Sequence, residues 1–382
     1  MSEFKEICKK YKLYAKKEKV NNIYILHYLY TKLKFDVSID DYFKHKLYKR
    51  DVSHKEFYES TWKYCRSFNQ SQQRFMPNAG KAWIFIHYLD FFVSKFVYPG
   101  LDGMDYFMYE FYNIRDNKRK TFITGGSLIK MVTHFNGKSS SSKKLLMDKG
   151  QFNAHFPDII TRKWIVSENL SFEKFNEFCS GLDKVIIKPI DGQGGKEIFF
   201  YQLENRESIK KLYDIIMEDR YIIEEIIEQH PDLGKINPSS VNTVRVYSVR
   251  SNDEVYITGA VLRMGRKDSV TDNYSSGGLA AEIDVELGIV TSRAVSHNND
   301  SVYIHPDSSI ILIGYKIPFW SEIKEKVKSA HLRIPNLRYI AWDVAVTSDN
   351  NITFIEANSV GAVDLQQHPC LIGKKPIYEQ YY

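Results

Sequence analysis

One stretch constrains this chain more than any other: Tyr339 to Asn358, YIAWDVAVTSDNNITFIEAN. Two β-rich runs flank SDNN, so the segment is expected to fold back as an antiparallel hairpin with a four-residue loop. Setting Thr347 opposite Ile352 brings Ala345 opposite Phe354 and Asp343 opposite Glu356. Directly opposed residues have Cβ atoms roughly 4.5–5.5 Å apart, so the two carboxylates would face one another. Asn358, two residues on, shares their side, while Trp342, Val344, Val346, Ile355 and Ala357 are expected on the core side.

Like charges opposed in a sheet destabilise it, so the pair calls for a cation between them. Two carboxylates and an amide oxygen are hard ligands, and so small a set leaves positions for water and phosphate, as magnesium prefers. A solvated acidic hairpin is the plain alternative. A second segment points the same way. Lys184 to Lys196, KVIIKPIDGQGGK, is an apolar strand ending in Lys188 and followed by Gly192, Gln193, Gly194 and Gly195. Glycines let backbone N–H groups approach phosphate oxygens, and a lysine at the strand end supplies a point charge for them. The spacing is not GxxxxGK[ST], and no helix pattern starts at the loop, which argues against a P-loop or a Rossmann site. Read alone, the segment is equally a Gly-rich hairpin loop. A third, Tyr221 to Glu228 (YIIEEIIE), is a strand with a charged end whose backbone edge could hold a flat heterocycle.

From residue 1 to about 120 the pattern is helical and basic. Residues 1–50 hold 13 Lys and Arg against 6 Asp and Glu, out of a whole-chain net charge of +6. That excess fits a solvated helical face, or a surface for nucleic acid, an anionic membrane or an acidic polymer. With 14% aromatic residues the chain is not of disordered type. Four scattered cysteines form neither a disulfide framework nor a zinc motif and fit a reducing cytoplasm. The start lacks an apolar signal core, and Asp90 and Lys95 interrupt the most apolar run, so neither a signal peptide nor a membrane span is expected. Gly137 to Lys144 (GKSSSSKK) reads as a loop or linker. After about residue 183, short β-rich segments alternate with helices near Arg206–Glu218 and Trp320–His331. The body is therefore mixed α/β of the α+β kind, with hairpins, and not a doubly wound parallel sheet.

In order and spacing, Lys149 in MDKGQF, Lys188, the GQGG loop, the Glu224-Glu225 strand and the Asp343, Glu356, Asn358 hairpin resemble the ATP-grasp superfamily. QHPDLGKINPSSVNTVRVYSV, GAVLRMG and DNYSSGG resemble more narrowly its sugar-transfer-associated family, found with bacterial surface-polysaccharide genes. The likeness extends from about residue 100 to the C-terminus. It implies two α+β subdomains enclosing ATP, spanning 121–226 and 227–382, after a helical region over 1–120.

By that resemblance Lys149 and Lys188 bind ATP phosphates and residues Gly192 to Gly195 close over them. Glu224, Glu225 and Ile226 form the strand beside adenine, with Asp232 offered for the ribose, and Asp343, Glu356 and Asn358 hold Mg²⁺. Many relatives carry an arginine two residues before the metal-binding aspartate, where this chain has Ala341. Arg245 and Arg263 are the candidates to replace it, Arg245 at the transferred phosphoryl group and Arg263 at the substrate carboxylate. The reaction implied is a carboxylate–amine ligation through an acyl phosphate. It would join an acidic sugar or nucleotide-sugar to an amino acid or amino alcohol, with nucleic acid not expected as a partner. A sugar or lipid-intermediate kinase and a non-catalytic polysaccharide or nucleic-acid binder stay open.

Overall fold

Aromatic and apolar side chains recurring at helical spacing need a second helix to cover them, and the first third of the chain supplies several. A computed structural model describes residues 2–20, 24–49, 51–98, 100–137, 141–191, 197–267, 269–297 and 299–382. The chain divides into two compact units, Met1–Lys120 with Thr124–Ser127, and Thr121–Ile123 with Leu128–Tyr382. The first unit is built on helices Ser2–Lys17, Tyr24–Phe35, Ile39–Lys44, Asp51–Phe75, Lys81–Val97 and Gly103–Met108. Its interior is largely aromatic: Tyr28 meets Tyr42 at 5.2 Å between ring centroids, and Phe68 meets Phe107 at 5.1 Å. Lys9, Lys10, Lys12, Lys16 and Lys17 on the first helix are exposed. Among the described residues, no helix is long and apolar enough to cross a membrane.

The second unit contains two antiparallel sheets. In the smaller, β1 (Trp164–Val166), β2 (Lys184–Pro189), β3 (Phe199–Gln202) and β4 (Tyr221–Glu225) lie in the order β1-β4-β2-β3. Helices Phe172–Phe178 and Arg206–Ile216 cover one face, burying Phe175, Leu212 and Ile216 against Val185, Ile187 and Ile223. Each such large side chain contributes roughly 1.5–3 kcal/mol when removed from water. The second of these helices starts at a capping box, in which the Asn205 side chain accepts from Glu207 and Ser208 N–H.

The larger sheet has seven strands: β5 (Val244–Ser251), β6 (Glu254–Met264), β7 (Leu279–Ile283), β8 (Ala294–Ser296), β9 (Ser301–Val302), β10 (Tyr339–Val346) and β11 (Ile352–Asn358). They lie in the order β11-β10-β5-β6-β7-β8-β9. Both faces of the sheet are covered. Val244, Val246, Leu262, Trp342 and Phe354 pack with helix Trp320–Leu332 on one side, while Tyr247, Val261, Tyr339 and Ala341 enter a second core on the other. All eight residues of β10 are buried, which is why its sequence is almost continuously apolar around Asp343.

Two expectations are corrected. The Ser run does not remain a loop through Lys144: Ser141–Met147 is helical, with Ser142 Oγ donating to the Pro335 carbonyl and Leu146 buried. The hairpin loop between the strands has five residues, Thr347 to Asn351, not four, because Val346 rather than Thr347 stands opposite Ile352; within the loop Thr347 N–H donates to Asn351 O at 2.8 Å. Asn350 there adopts φ +66°, a conformation asparagine tolerates well.

Candidate active site

The hairpin's register begins with Val346 opposite Ile352 and runs through Ala345–Thr353 and Val344–Phe354. A β-bulge at Ile355 then restores the Asp343–Glu356 pairing. The extra residue lets Phe354 stay in the core while Glu356 meets Asp343. It also moves Ile355 off the core side expected for it and into the wall of a cleft of about 390 Å³. The cleft is lined from the small sheet by Lys188, Glu224 and Glu225, from the connecting segment by Ile226 to Gln229, and from the large sheet by Arg263, Asp343 and Glu356.

No metal is needed to relieve the charge on Asp343, because neighbouring strands do it. β5 pairs Arg245 directly across from Asp343. Its guanidinium grips the carboxylate as a fork, Nε to Oδ1 at 2.7 Å and Nη2 to Oδ2 at 2.6 Å. From β6, Arg263 Nη1 reaches Oδ2 at 2.8 Å. Burial would raise the Asp343 carboxyl, but Arg245 and Arg263 overcome it and hold the group well below the ordinary carboxylate range. Arg263 is spent further: its Nη2 donates to Asp272 Oδ1 at 2.8 Å and Asn273 Oδ1 at 3.1 Å. Arg245 lies behind Asp343, and among the described residues it is not part of the cleft lining.

Lys149 sits at the start of helix Lys149–His155, whose Asp148 cap accepts from Gln151 N–H at 2.9 Å. Its Nζ donates to the carbonyls of Pro189 and Ile190 at 3.1 and 3.2 Å, beside the end of β2. Burial pushes the Lys149 ammonium down in pKa, and Glu356 pulls it back up. Four residues along the same helix face, Asn153 Nδ2 donates to Glu224 Oε1 at 2.8 Å. Glu224 is 2% exposed and also pairs with Lys188 Nζ and with Arg162 Nη2, the latter at 2.6 Å. Burial alone would raise this carboxyl, and its two cations instead hold it far below its usual range.

Lys149, Lys188, Glu224, Glu225, Ile226, Arg263, Asp343 and Glu356 are thus brought to one cleft. Among the described residues, the backbone groups of Ile226 and Ile227 take no backbone hydrogen bond, leaving an open donor–acceptor edge beside apolar side chains. Asn358 lies next to Glu356, its Nδ2 donating to Oε1 at 3.2 Å. Asp232 is not brought in: exposed on the short helix Pro231–Gly234, it pairs with Lys235 at 2.7 Å, outside the lining residues. Gly192, Gln193, Gly194 and Gly195 lie outside the described residues. Arg162, Asn153 and Asp272 were missed by sequence reasoning, although Asp272 stands inside the DNYSSGG segment singled out there.

The oxygen donors fit a magnesium ion. Asp343 Oδ2 already accepts two N–H bonds and Oδ1 one, so one lone pair remains on Oδ1. Glu356, which lines the cleft, is a further hard donor, and Asn358 lies beside it with Nδ2 donating to Oε1.

This combination of two antiparallel α+β halves around one cationic and acidic cleft has the ATP-grasp fold. Within that class, a family model described as sugar-transfer associated ATP-grasp matches residues 138–373, and the chain belongs to this family. Among solved structures, it is similar to ATP-grasp ligase PsnB complexed with its minimal precursor, with TM-score 0.40 and 15% identity, covering 65% of this chain and 62% of that one. D-alanyl-alanine synthetase A from Vibrio cholerae gives 0.37 and 8%, covering 63% and 61%. N5-carboxyaminoimidazole synthetase from Staphylococcus aureus gives 0.34 and 11%, covering 57% and 45%. The chain therefore spans about three fifths of the length of the first of these. No curated protein sequence matches it.

Proposed function

We propose that the protein is an ATP-dependent, ADP-forming carboxylate–amine ligase. The observation that carries this reading is the joining of two lysine ammoniums, Lys149 and Lys188, with the Asp343–Glu356 pair around one cleft. Lysines and an open backbone edge suit a nucleotide: the edge at Ile226 and Ile227 offers adenine a donor and an acceptor, and the ammoniums take the phosphates. A magnesium ion held by Glu356, Asn358 and Asp343 would neutralise charge on those phosphates.

Chemistry of this kind needs positioned charge more than a protein nucleophile. The γ-phosphoryl group passes to a substrate carboxylate oxygen, giving an acyl phosphate and ADP. An amine then attacks the acyl carbon, forming the amide and releasing phosphate. Both hydrogen-bonding ends of Arg263 are engaged with Asp343, Asp272 and Asn273, and the Arg245 fork is closed on Asp343. Their part in the reaction is therefore to fix the acidic hairpin rather than to meet the substrate carboxylate. The family's description as sugar-transfer associated supports an acidic sugar, such as a uronic acid or its nucleotide-sugar, as the carboxylate, in cytoplasmic assembly of surface polysaccharide.

The test is a screen of acidic sugars and nucleotide-sugars against amino acids and amino alcohols, with Mg·ATP, reading ADP release and product mass. An amide product formed with one ADP per turnover is expected. A stable phosphorylated product that forms without any amine would replace the ligase by a kinase, and absence of ATP binding in calorimetry would overturn the reading altogether.

A further inference from the structure

Glu224 is the centre of a buried charge group whose sum is not zero. Its carboxylate faces two cations, Arg162 and Lys188, whose side chains are 4% and 11% exposed. One unit of positive charge is left over at the wall of the cleft, and uncompensated buried charge is costly. The surplus cannot easily sit on Arg162, whose hydrogen-bonding arms are turned to protein. Nη2 goes to Glu224, while Nη1 goes to Phe354 O at 2.8 Å and Thr353 Oγ1 at 3.3 Å. Arg162 Nε is buried without a hydrogen-bond partner, so the guanidinium is held at a cost that its other contacts must offset. Phe354 lies on β11, the edge strand of the large sheet, directly before the bulge that delivers Glu356. One side chain thus links the strand carrying Glu224 to the strand carrying Glu356.

We propose that Arg162 is the counter-ion that neutralises Glu224, so that Lys188 keeps its positive charge for an anionic ligand in the cleft, and that the same guanidinium anchors the acidic hairpin. Arg162 is in this sense a positioning residue. Without it, Glu224 and Lys188 close into a neutral pair, and a lysine beside the cleft no longer attracts a phosphate. The ligand's identity as a nucleotide rests on the ligase reading above; the charge balance does not.

Charge bookkeeping makes the test specific. The three side chains sum to +1 in the native protein, to zero in Arg162→Met, and to +1 again in Arg162→Met/Glu224→Gln. ATP binding, measured by calorimetry with magnesium present, should weaken about tenfold or more in Arg162→Met, the scale of one charge-assisted contact. It should return to within about threefold of the native value in the double variant, a rescue that lost packing would not produce. Arg162→Lys keeps the charge but cannot span both strands, so it should hold affinity within about threefold while melting at lower temperature. Unchanged affinity in Arg162→Met, or no recovery in the double variant, overturns the counter-ion role. If Arg162→Met does not fold, the two charge-preserving variants decide, and tenfold weaker binding in both overturns it. Native protein that binds no ATP would instead count against the ligase reading, since it leaves the balance of charges untouched.

Discussion

Replacing Asp343 with asparagine keeps the side chain's size and removes the one carboxylate shared by two buried guanidiniums. Three charge-assisted bonds of 2.6–2.8 Å converge on it. The amide offers a single acceptor oxygen and turns an NH₂ group toward the arginines, so a donor meets a donor. Arg263 retains Asp272 at 2.8 Å, whereas the Arg245 fork loses its acceptor. Breaking a buried pair of this kind costs about 3–5 kcal/mol. For a folding unit of this size each kcal/mol is worth roughly 2–4 °C in Tm, so Asp343→Asn should melt about 6–20 °C below the native protein. Glu356→Gln should stay within about 2 °C, because Glu356 lines the cleft and meets the Asn358 amide and Asp343 but holds no buried guanidinium that the change would strand. Opposed acids taken alone would repel, so that an amide at either position relieved the sheet; the two guanidiniums reverse this at Asp343.

The assay is scanning calorimetry without ligand, repeated across pH. Asp343 has a folded-state pKa below its unfolded value, so its contribution is complete above the unfolded value near 4 and fades as pH falls toward the folded one. The gap between native and Asp343→Asn should therefore be constant from pH 5 to 8 and close in strong acid. An Asp343→Asn protein as stable as the native one at pH 7 would refute the ion-pair reasoning.

Three further outcomes are expected. Lys149→Met should weaken ATP binding, and in the native protein affinity should fall on the alkaline side at lower pH than an ordinary lysine would give, since burial lowers the Lys149 pKa; a flat profile to pH 10.5 would count against it. His331, buried between Ser248 Oγ at 2.7 Å and Leu337 O at 3.0 Å, has its pKa pushed down to about 4, so its imidazole should remain neutral at pH 5 by NMR, and folding stability should drop as pH falls from about 6.5 toward 4; titration near 6.5 would remove that cause. Gly278→Ala would set a Cβ 2.4 Å from Asp272 O, so calorimetry should show a Tm loss of several degrees and weaker hold of the loop on Arg263, with an unchanged Tm refuting the close approach.

The Asp343–Glu356 pairing was legible because period-two alternation and a polar loop carry strand register in the local sequence. The bulge at Ile355 was not: it arises from Thr347 bonding to Asn351 across the turn, and strand periodicity cannot count a residue inserted without a glycine or proline to mark it. Lys188 was legible because it ends an apolar strand. Arg162 and Asn153 were not, since a single arginine before a three-residue strand and an asparagine on a short helix look like surface residues until Glu224 arrives from 62 and 71 positions away. Both arginines and Asp343 were named, but their pairing was not, because partners on neighbouring strands follow from sheet order, and sheet order is set by burial of both faces of β10.

That sheet order has a consequence during protein synthesis. β10 lies between β5 and β11, yet it is made long after β5: Asp343 follows Arg245 by 98 residues. At translation speeds of roughly 5–20 residues per second, Arg245 waits about 5–20 s for its carboxylate, and throughout that interval the β5 edge offers unpaired N–H and C=O groups. A ribosome that stalls before Tyr339 therefore presents a half-sheet with an open edge, so β10 does double duty as the cover that keeps the nascent protein from associating with its neighbours.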